Sequence, residues 1–324
     1  METLFITRDA QLKQHENTLQ IRFAKDKKMR SLPINKISHL ILLAETRLNS
    51  RLLTLCGKHN VRVSVFDYYD YYKGTFEPMD KNPAGKVKLK QAALLLNNQQ
   101  RMRLAREVVQ GAAYNMRANL RYYQYRGKTA LKEITQTLKQ QSKAIKQAQT
   151  TEELMGHEGL IHAEYYAAWK LIDKRLDFGK RVRRPPNNPI NCLISFLNQM
   201  VYTIVRHEIS KTHLEETFSV LHAPGYGRAS LSLDLAEPFK PLLTDLLIFK
   251  LIKQNMLDES WFEQQGQVCL LSETGRRNIA EQFAMRLEED YQGKSFRQWI
   301  YYEALAIERE VLGVDNYKSF KRKV

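Results

Sequence analysis

Two segments of the chain carry residue types able to hold a metal ion. The first is Met155-Gly156-His157-Glu158-Gly159-Leu160-Ile161-His162. It superficially suggests the H-E-x-x-H pattern, in which two histidines four residues apart share one helical face and one zinc ion. Here His157 and His162 are five residues apart, about 140° round a helix of ~3.6 residues per turn, so both cannot face one ion. Glu158 and His162 are four apart and could share a face. The plainer alternative is an exposed helix start whose acidic residue favours the dipole.

The second segment is Leu221-His222-Ala223-Pro224-Gly225-Tyr226-Gly227-Arg228, followed by Ser230-Leu231-Ser232-Leu233-Asp234-Leu235-Ala236-Glu237-Pro238. His222 falls in a Gly/Pro-containing loop. Asp234 and Glu237 lie one helical turn apart, so both carboxylates can point the same way at a helix start. An imidazole with clustered carboxylates and no thiolates suits Mg²⁺ or Mn²⁺ better than a structural zinc. The competing reading makes His222 a hydrogen-bonding loop residue and Asp234 a helix cap.

Cations gather around these segments. Lys174, Arg175, Lys180, Arg181, Arg183 and Arg184 precede Pro185-Pro186. Arg121, Tyr122, Tyr123, Tyr125 and Arg126 interleave charge with aromatic rings, as a surface that neutralises phosphates and stacks on bases requires. Lys132, Lys139, Lys143 and Lys146 share one helical face and read as solvated. The run from Tyr68 to Tyr72 reads equally as a strand end or a dimer contact, and Lys318, Lys321, Arg322 and Lys323 as a basic, disordered tail. Over 324 residues, 51 Lys and Arg against 35 Asp and Glu leave a formal charge of +16. That excess seeks a polyanion: nucleic acid, an anionic membrane surface or an acidic protein.

The elements that must position these residues follow from periodicity. Over residues 1–80, short alternating runs predict a β-rich domain. Leu4-Phe5-Ile6 and Leu19/Ile21/Phe23 flank a polar turn at Glu16-Asn17 and suggest a hairpin; Ile37 to Leu43 and Val61/Val63/Val65 supply two more strands. Leu48, Leu52 and Leu55 fall at helical spacing before Gly57, giving one short helix. Residues 81–87 have turn formers and charge without periodicity and are read as the linker. From 88 to 324 the pattern is helical, with stripes at Leu131/Ile134/Leu138 and Ile190/Leu193/Ile194/Leu197, and Pro189 suits a first helical turn. The expected fold class is therefore α+β, a small N-terminal β-rich domain followed by a large all-α domain. No stretch approaches the roughly 18 consecutive apolar residues of a spanning helix. Met1-Glu2-Thr3 does not open a secretory signal, and Cys56, Cys192 and Cys269 are scattered, so a cytoplasmic location is expected.

Taken in order, Met155-Gly156-His157-Glu158-Gly159, then Arg183-Arg184-Pro185-Pro186-Asn187-Asn188-Pro189-Ile190-Asn191, then His222 through Glu237-Pro238-Phe239 resemble the CRISPR adaptation integrases of the Cas1 family over essentially the whole length. The resemblance implies that Glu158, His222 and Glu237 hold a catalytic Mg²⁺ or Mn²⁺, with Asp234 an acidic neighbour, and it uses neither His157 nor His162. It implies a DNA contact at Tyr165 or Tyr166, and Arg181, Arg183, Arg184 and Arg228 are expected to position the DNA backbone rather than read bases. Lys240 is also read as a DNA contact, but it stands where the family often has Arg, so a bidentate contact from that position is in doubt. The implied activity is insertion of short foreign DNA fragments into a CRISPR array, a fragment 3′-hydroxyl attacking a phosphodiester at the repeat boundary. The implied partners are double-stranded and branched DNA, a second copy paired through the β-rich domain, and the small Cas2 protein bridging two dimers, with no membrane role. The same site with water as nucleophile would make a structure-selective endonuclease, and the basic surface alone a DNA-binding scaffold.

Overall fold

The structure is a computed structural model that describes residues 2–24, 28–79, 84–222 and 229–323. Its chain divides into two compact units, Met1–Pro83 with Asp258–Gly266 and Leu270–Met285 in the first, and Ala84–Leu257 with Gln267–Cys269 and Arg286–Val324 in the second. A single boundary drawn along the chain does not contain this return of residues 258–266 and 270–285.

The first unit opens with β1 (Glu2–Ile6), β2 (Ala10–His15), β3 (Thr18–Phe23), β4 (Met29–Pro33), β5 (Ile37–Leu42), β6 (Thr46–Arg47), α1 (Ser50–Lys58), β7 (Arg62–Phe66) and β8 (Tyr72–Phe76). β5 is buried along its whole length, the pattern of an interior strand covered on both faces. It runs parallel to both β1 and β7, and β8 pairs antiparallel with β7. The Asn49 side chain caps α1 by accepting from Leu52 N at 3.1 Å. Leu52, Leu55 and Cys56 of that helix join Ile6, Leu12, Ile21 and Leu40 in one core.

The hairpin predicted at Glu16-Asn17 forms, but its arms are β2 and β3. Leu4-Phe5-Ile6 belongs instead to β1 in the other sheet. Only Ala10 and Leu12 are buried in β2, a shorter apolar signal than the Leu4 run that outweighed it in the sequence.

The helical part comprises α2 (Gly85–Leu96), α3 (Asn98–Tyr125), α4 (Leu131–Ala144), α5 (Thr151–Ala167), α6 (Trp169–Ile172), α7 (Pro189–Ile209), α8 (Ser230–Ala236) and α9 (Leu246–Lys253), with a π-helical turn at Pro241–Asp245. β9 (Phe262–Gln265), β10 (Val268–Leu271), α10 (Glu273–Glu288), β11 (Asp290–Tyr291), β12 (Lys294–Ser295) and α11 (Phe296–Leu312) complete the chain. Two short strand pairs thus interrupt the expected all-α region. The expected linker is shorter than 81–87, since α2 starts at Gly85, while residues 81–83 lie outside the described residues. Pro189 opens α7 as expected, behind an Asn188 cap that accepts from Asn191 N at 2.9 Å. No described helix is long and apolar enough to cross a membrane.

The basic tail is not disordered. Tyr317 is 1% exposed, and its hydroxyl donates to Glu303 of α11 at 2.5 Å. Tyr317 and Phe320 alternate with the tail's cations and anchor it, a signal that its charge obscured.

Candidate metal centre

Thr150 caps α5 by accepting from Glu153 N at 3.2 Å, and Glu152 and Glu153 occupy the first turn, where acidic groups favour the helix dipole. The four-residue step from Glu158 then brings His162 onto the same face, with Nε2 3.3 Å from Glu158 Oε1. Opposite stands Glu237, at the end of α8. Pro238 and Pro241 lack N–H groups and cannot donate the helical bonds expected from their positions, so the helix breaks across residues 237–239 before the π-helical turn. The break presents a nearly fully buried Glu237 whose Oε2 lies 3.5 Å from His162 Nε2. One ligand atom each from Glu158, His162 and Glu237 falls within 4.8 Å of the other two.

His222 and Asp234 form the flank of this cluster. Asp234 is fully buried and accepts from the backbone N–H groups of Val220 at 2.6 Å, Leu221 at 3.0 Å and His222 at 3.2 Å. Its Oδ1 also meets His222 Nδ1 at 2.7 Å. A carboxylate can only accept, so Nδ1 donates and Nε2 of the neutral ring carries the free lone pair. Asp234 is thereby an orienter of His222 with no oxygen left over for an ion. Burial works against the His222 imidazolium, but the hydrogen bond to Asp234 and the charges of Asp234, Glu237 and Glu158 outweigh it and raise its pKa.

Lys240 Nζ approaches Glu237 Oε1 to 2.5 Å. Burial opposes ionisation of Glu237, yet Lys240 and His162 overcome it and hold the carboxyl well below the usual range. Lys240 is itself buried in this ion pair, 5.8 Å above the Tyr202 ring, rather than presented to a DNA backbone. Burial pushes the carboxyl of Asp245, at the end of the π-helical turn, up to about 7, against the pull of Tyr165, His162, Lys240 and Arg181.

A divalent cation fits this donor set. Two carboxylates and imidazole nitrogens are the hard oxygen and nitrogen ligands that Mg²⁺ or Mn²⁺ takes. His162 Nε2 and Glu237 Oε2 are buried 3.5 Å apart without a well-aligned hydrogen bond to any group, which is costly unless something else meets them.

Of the residues expected to hold the ion, Glu158 and Glu237 join the cluster, whereas His222 is not among the three whose ligand atoms lie within 4.8 Å of one another and is bonded to Asp234 instead. His162, which the family resemblance set aside, is a full member of the cluster, and its signal was the four-residue step from Glu158. Between the two tyrosines, Tyr165 is fully buried with its hydroxyl 3.1 Å from Asn119 Nδ2, which removes it as a DNA contact. Tyr166 is the one beside the site, its ring 5.7 Å from that of His162. Arg181 is also corrected: its guanidinium donates inward to Asn191 Oδ1 at 3.0 Å, Ser195 Oγ at 2.9 Å and Val182 O. Fully buried Asn191 further accepts from Val182 N and donates to Lys180 O and Asn187 Oδ1, stitching the Arg-Arg-Pro-Pro loop together. Arg183 and Arg184 remain exposed, and Arg228 lies outside the described residues. On α3, Arg126 sits 4.4 Å over Tyr122, and Arg121 donates to the Tyr125 hydroxyl at 2.8 Å. Tyr68 and Tyr69 are exposed in the turn between β7 and β8, where Asp67 accepts from Tyr69 N and Tyr71 N.

The family model described as CRISPR associated protein Cas1 matches residues 4–285. The chain is 37% identical to a CRISPR-associated endonuclease Cas1 of Fusobacterium nucleatum, covering 98% of this chain and 96% of the relative. It is 35% identical to one from Clostridium perfringens, covering 98% of each. A solved Cas1 protein from Thermotoga maritima superposes with a TM-score of 0.89 at 30% identity, over 99% of this chain and 100% of that one. A casposase bound to its integration product shares the fold, with a TM-score of 0.85 at 19% identity over 99% of this chain and 94% of that one. With the family match running through both metal-centre segments and with relatives above 30% identity end to end, the chain belongs to the Cas1 family.

Proposed function

We propose that this chain is a divalent-metal-dependent DNA integrase that inserts short fragments into a CRISPR array. The observation that carries the reading is the convergence of Glu158, His162 and Glu237, with His222 held at its edge by Asp234. Glu158, Glu237 and the imidazoles of His162 and His222 would hold the ion. A bound Mg²⁺ or Mn²⁺ makes an incoming hydroxyl more nucleophilic and stabilises charge on the phosphoryl group. Transesterification leaves the protein little covalent work, so the remaining tasks are positioning and charge neutralisation. Lys240 keeps Glu237 ionised, Asp234 fixes the tautomer of His222, and Arg183 and Arg184, both exposed, would hold the DNA backbone. In the joining step the 3′-hydroxyl oxygen of the fragment bonds to phosphorus and a repeat-strand 3′-oxygen leaves with a proton.

Relatives described as endonucleases, a casposase bound to an integration product, and a Cas6-RT-Cas1–Cas2 complex of the same fold support this reading. The partners it assigns are double-stranded and branched DNA, a second copy docked through the β-rich unit, and Cas2 bridging two such dimers, in the cytoplasm. A second reading, hydrolysis of branched DNA at the same centre, is favoured by the endonuclease description of the relatives.

Products separate the two. Labelled branched DNA mimicking a half-integrated intermediate is incubated with Mn²⁺ or EDTA, with wild type and with Glu158→Gln. Rejoined strands from wild type in Mn²⁺ alone are expected. Shortened strands select hydrolysis, and undiminished products in EDTA or from Glu158→Gln contradict the metal centre.

A further inference from the structure

The helix break that presents Glu237 leaves the Pro238 carbonyl without a helical donor, and the first of two asparagines one turn apart on α3 takes it up, while the second reinforces Pro241 O, which Leu246 N already meets. Asn115 Nδ2 donates to Pro238 O at 2.8 Å, and Asn119 Nδ2 to Pro241 O at 2.8 Å. Leu242 N, which a regular helix would send to Pro238 O, bonds Phe239 O instead. The carbonyl next to Glu237 thus depends on the Asn115 side chain, which is fully buried.

Asn115 is in turn held by the end of the chain. Its Nδ2 also donates to Phe320 O at 3.1 Å, and its Oδ1 accepts from Arg322 N at 2.9 Å. The Phe320 ring stacks on buried Phe239, two residues after Glu237, with centroids 5.2 Å apart and planes 18° from parallel. On the far side, Glu303 of α11 accepts from the Tyr317 hydroxyl at 2.5 Å, the Ser319 hydroxyl at 3.1 Å and Phe320 N at 3.1 Å. A Cβ on Gly111 of α3 would fall 2.7 Å from Ser319 Cβ, so only glycine lets the strap lie this close. Lys318 and Lys321 reach Glu107, also on α3.

We propose that the C-terminal strap, Tyr317–Arg322, is a positioning element for the metal ligand Glu237, acting through the Phe320–Phe239 stack and the Asn115 bridge to Pro238. The strap has its own anchors on α3 and α11, its Phe320 ring also meets Trp299 and Tyr291, and the Phe239 stack and the Asn115 bridge carry it to the residues that follow Glu237. Removing the ring frees Phe239 and loosens the break, so Glu237 no longer meets His162 and Glu158 at one point. The proposal rests on the metal-centre reading above and concerns which part of the chain holds that centre in shape.

The test is Mn²⁺ binding to the full-length protein, followed by electron paramagnetic resonance together with thermal melting. Phe320→Ala is expected to weaken Mn²⁺ binding by about tenfold, the scale of a lost outer-shell partner. Phe320→Tyr, which keeps the stack, is expected to bind as wild type. A chain ending at Asn316 should match or exceed the Phe320→Ala defect. Leu138→Ala in α4 destabilises the same unit at a distance and is expected to lower the melting temperature with Mn²⁺ affinity unchanged. Wild-type affinity in Phe320→Ala, or an equal loss in Leu138→Ala, overturns the strap's role. Absence of Mn²⁺ binding by wild type overturns the metal-centre reading itself, and the strap's role with it.

Discussion

Asp234 holds four donors, three of them backbone N–H groups around His222 and the fourth the ring itself. Asp234→Asn keeps the shape but turns an NH₂ toward two of those donors, since each carboxylate oxygen accepts from two. Facing His222 it imposes the other tautomer, with the proton on Nε2 and no lone pair for an ion. We expect Mn²⁺ affinity to fall about 10–100-fold, with a stability cost of about 1–3 kcal/mol from a mispaired buried group. Titration calorimetry checks the first and thermal melting the second; unchanged affinity would show that His222 contributes nothing to the ion. At this scale the sequence was informative where spacing alone set geometry. Glu158 and His162 share a face because they are four residues apart, whereas Asp234 and Glu237, one turn apart, lie at the end of α8 rather than its start, and Asp234 turns to the backbone around His222 instead of joining Glu237. It was silent on Arg181, whose inward turn depends on the amide of Asn191, and on Tyr165, whose burial depends on the packing of α3 against α5.

The elements that frame the centre combine weak local signals with strong tertiary ones. Prolines 238 and 241 mark the helix break in the sequence, but that Asn115 supplies the missing donor to Pro238 O emerges only from packing. The tail was misread because alternating cations suggested solvation, while its ordering rests on Tyr317, Phe320 and the glycine at 111. Glu303, where the strap is anchored, makes a pH prediction at this scale. Burial pushes its carboxyl up from 4.5 to about 7, against the donors Tyr317, Phe320 and Ser319, with Glu107 adding to the rise. The folded chain therefore keeps a proton that the unfolded chain releases between those values. Its contribution to stability is fully present below pH 4.5 and lost as the pH rises to 7. Relative to wild type, Glu303→Gln should gain melting temperature steadily from pH 5 to 7.5; a constant difference would mean that Glu303 is ionised throughout.

At the scale of the whole molecule, the order of a β-rich region before a helical one was legible because the apolar period changes from two to 3.6 near residue 85. The return of residues 258–266 and 270–285 to the first unit was not, since α10 is helical like most of the chain after residue 85 and its pairing rests on contacts distant in sequence. Arg276 of that helix ties Asp70 at 2.6 Å, a pairing 206 residues apart in sequence. A charge of +16 fits a polyphosphate partner, with Arg183 and Arg184 exposed on the loop that leads into α7. Everything proposed for function nevertheless depends on one ion reaching one place. Crystals soaked in Mn²⁺ and measured at the manganese absorption edge give the most direct test. We predict an anomalous peak coordinated by Glu158, Glu237 and at least one of His162 and His222, absent in Glu237→Gln. No peak at saturating Mn²⁺, or a peak away from these residues, would contradict the account.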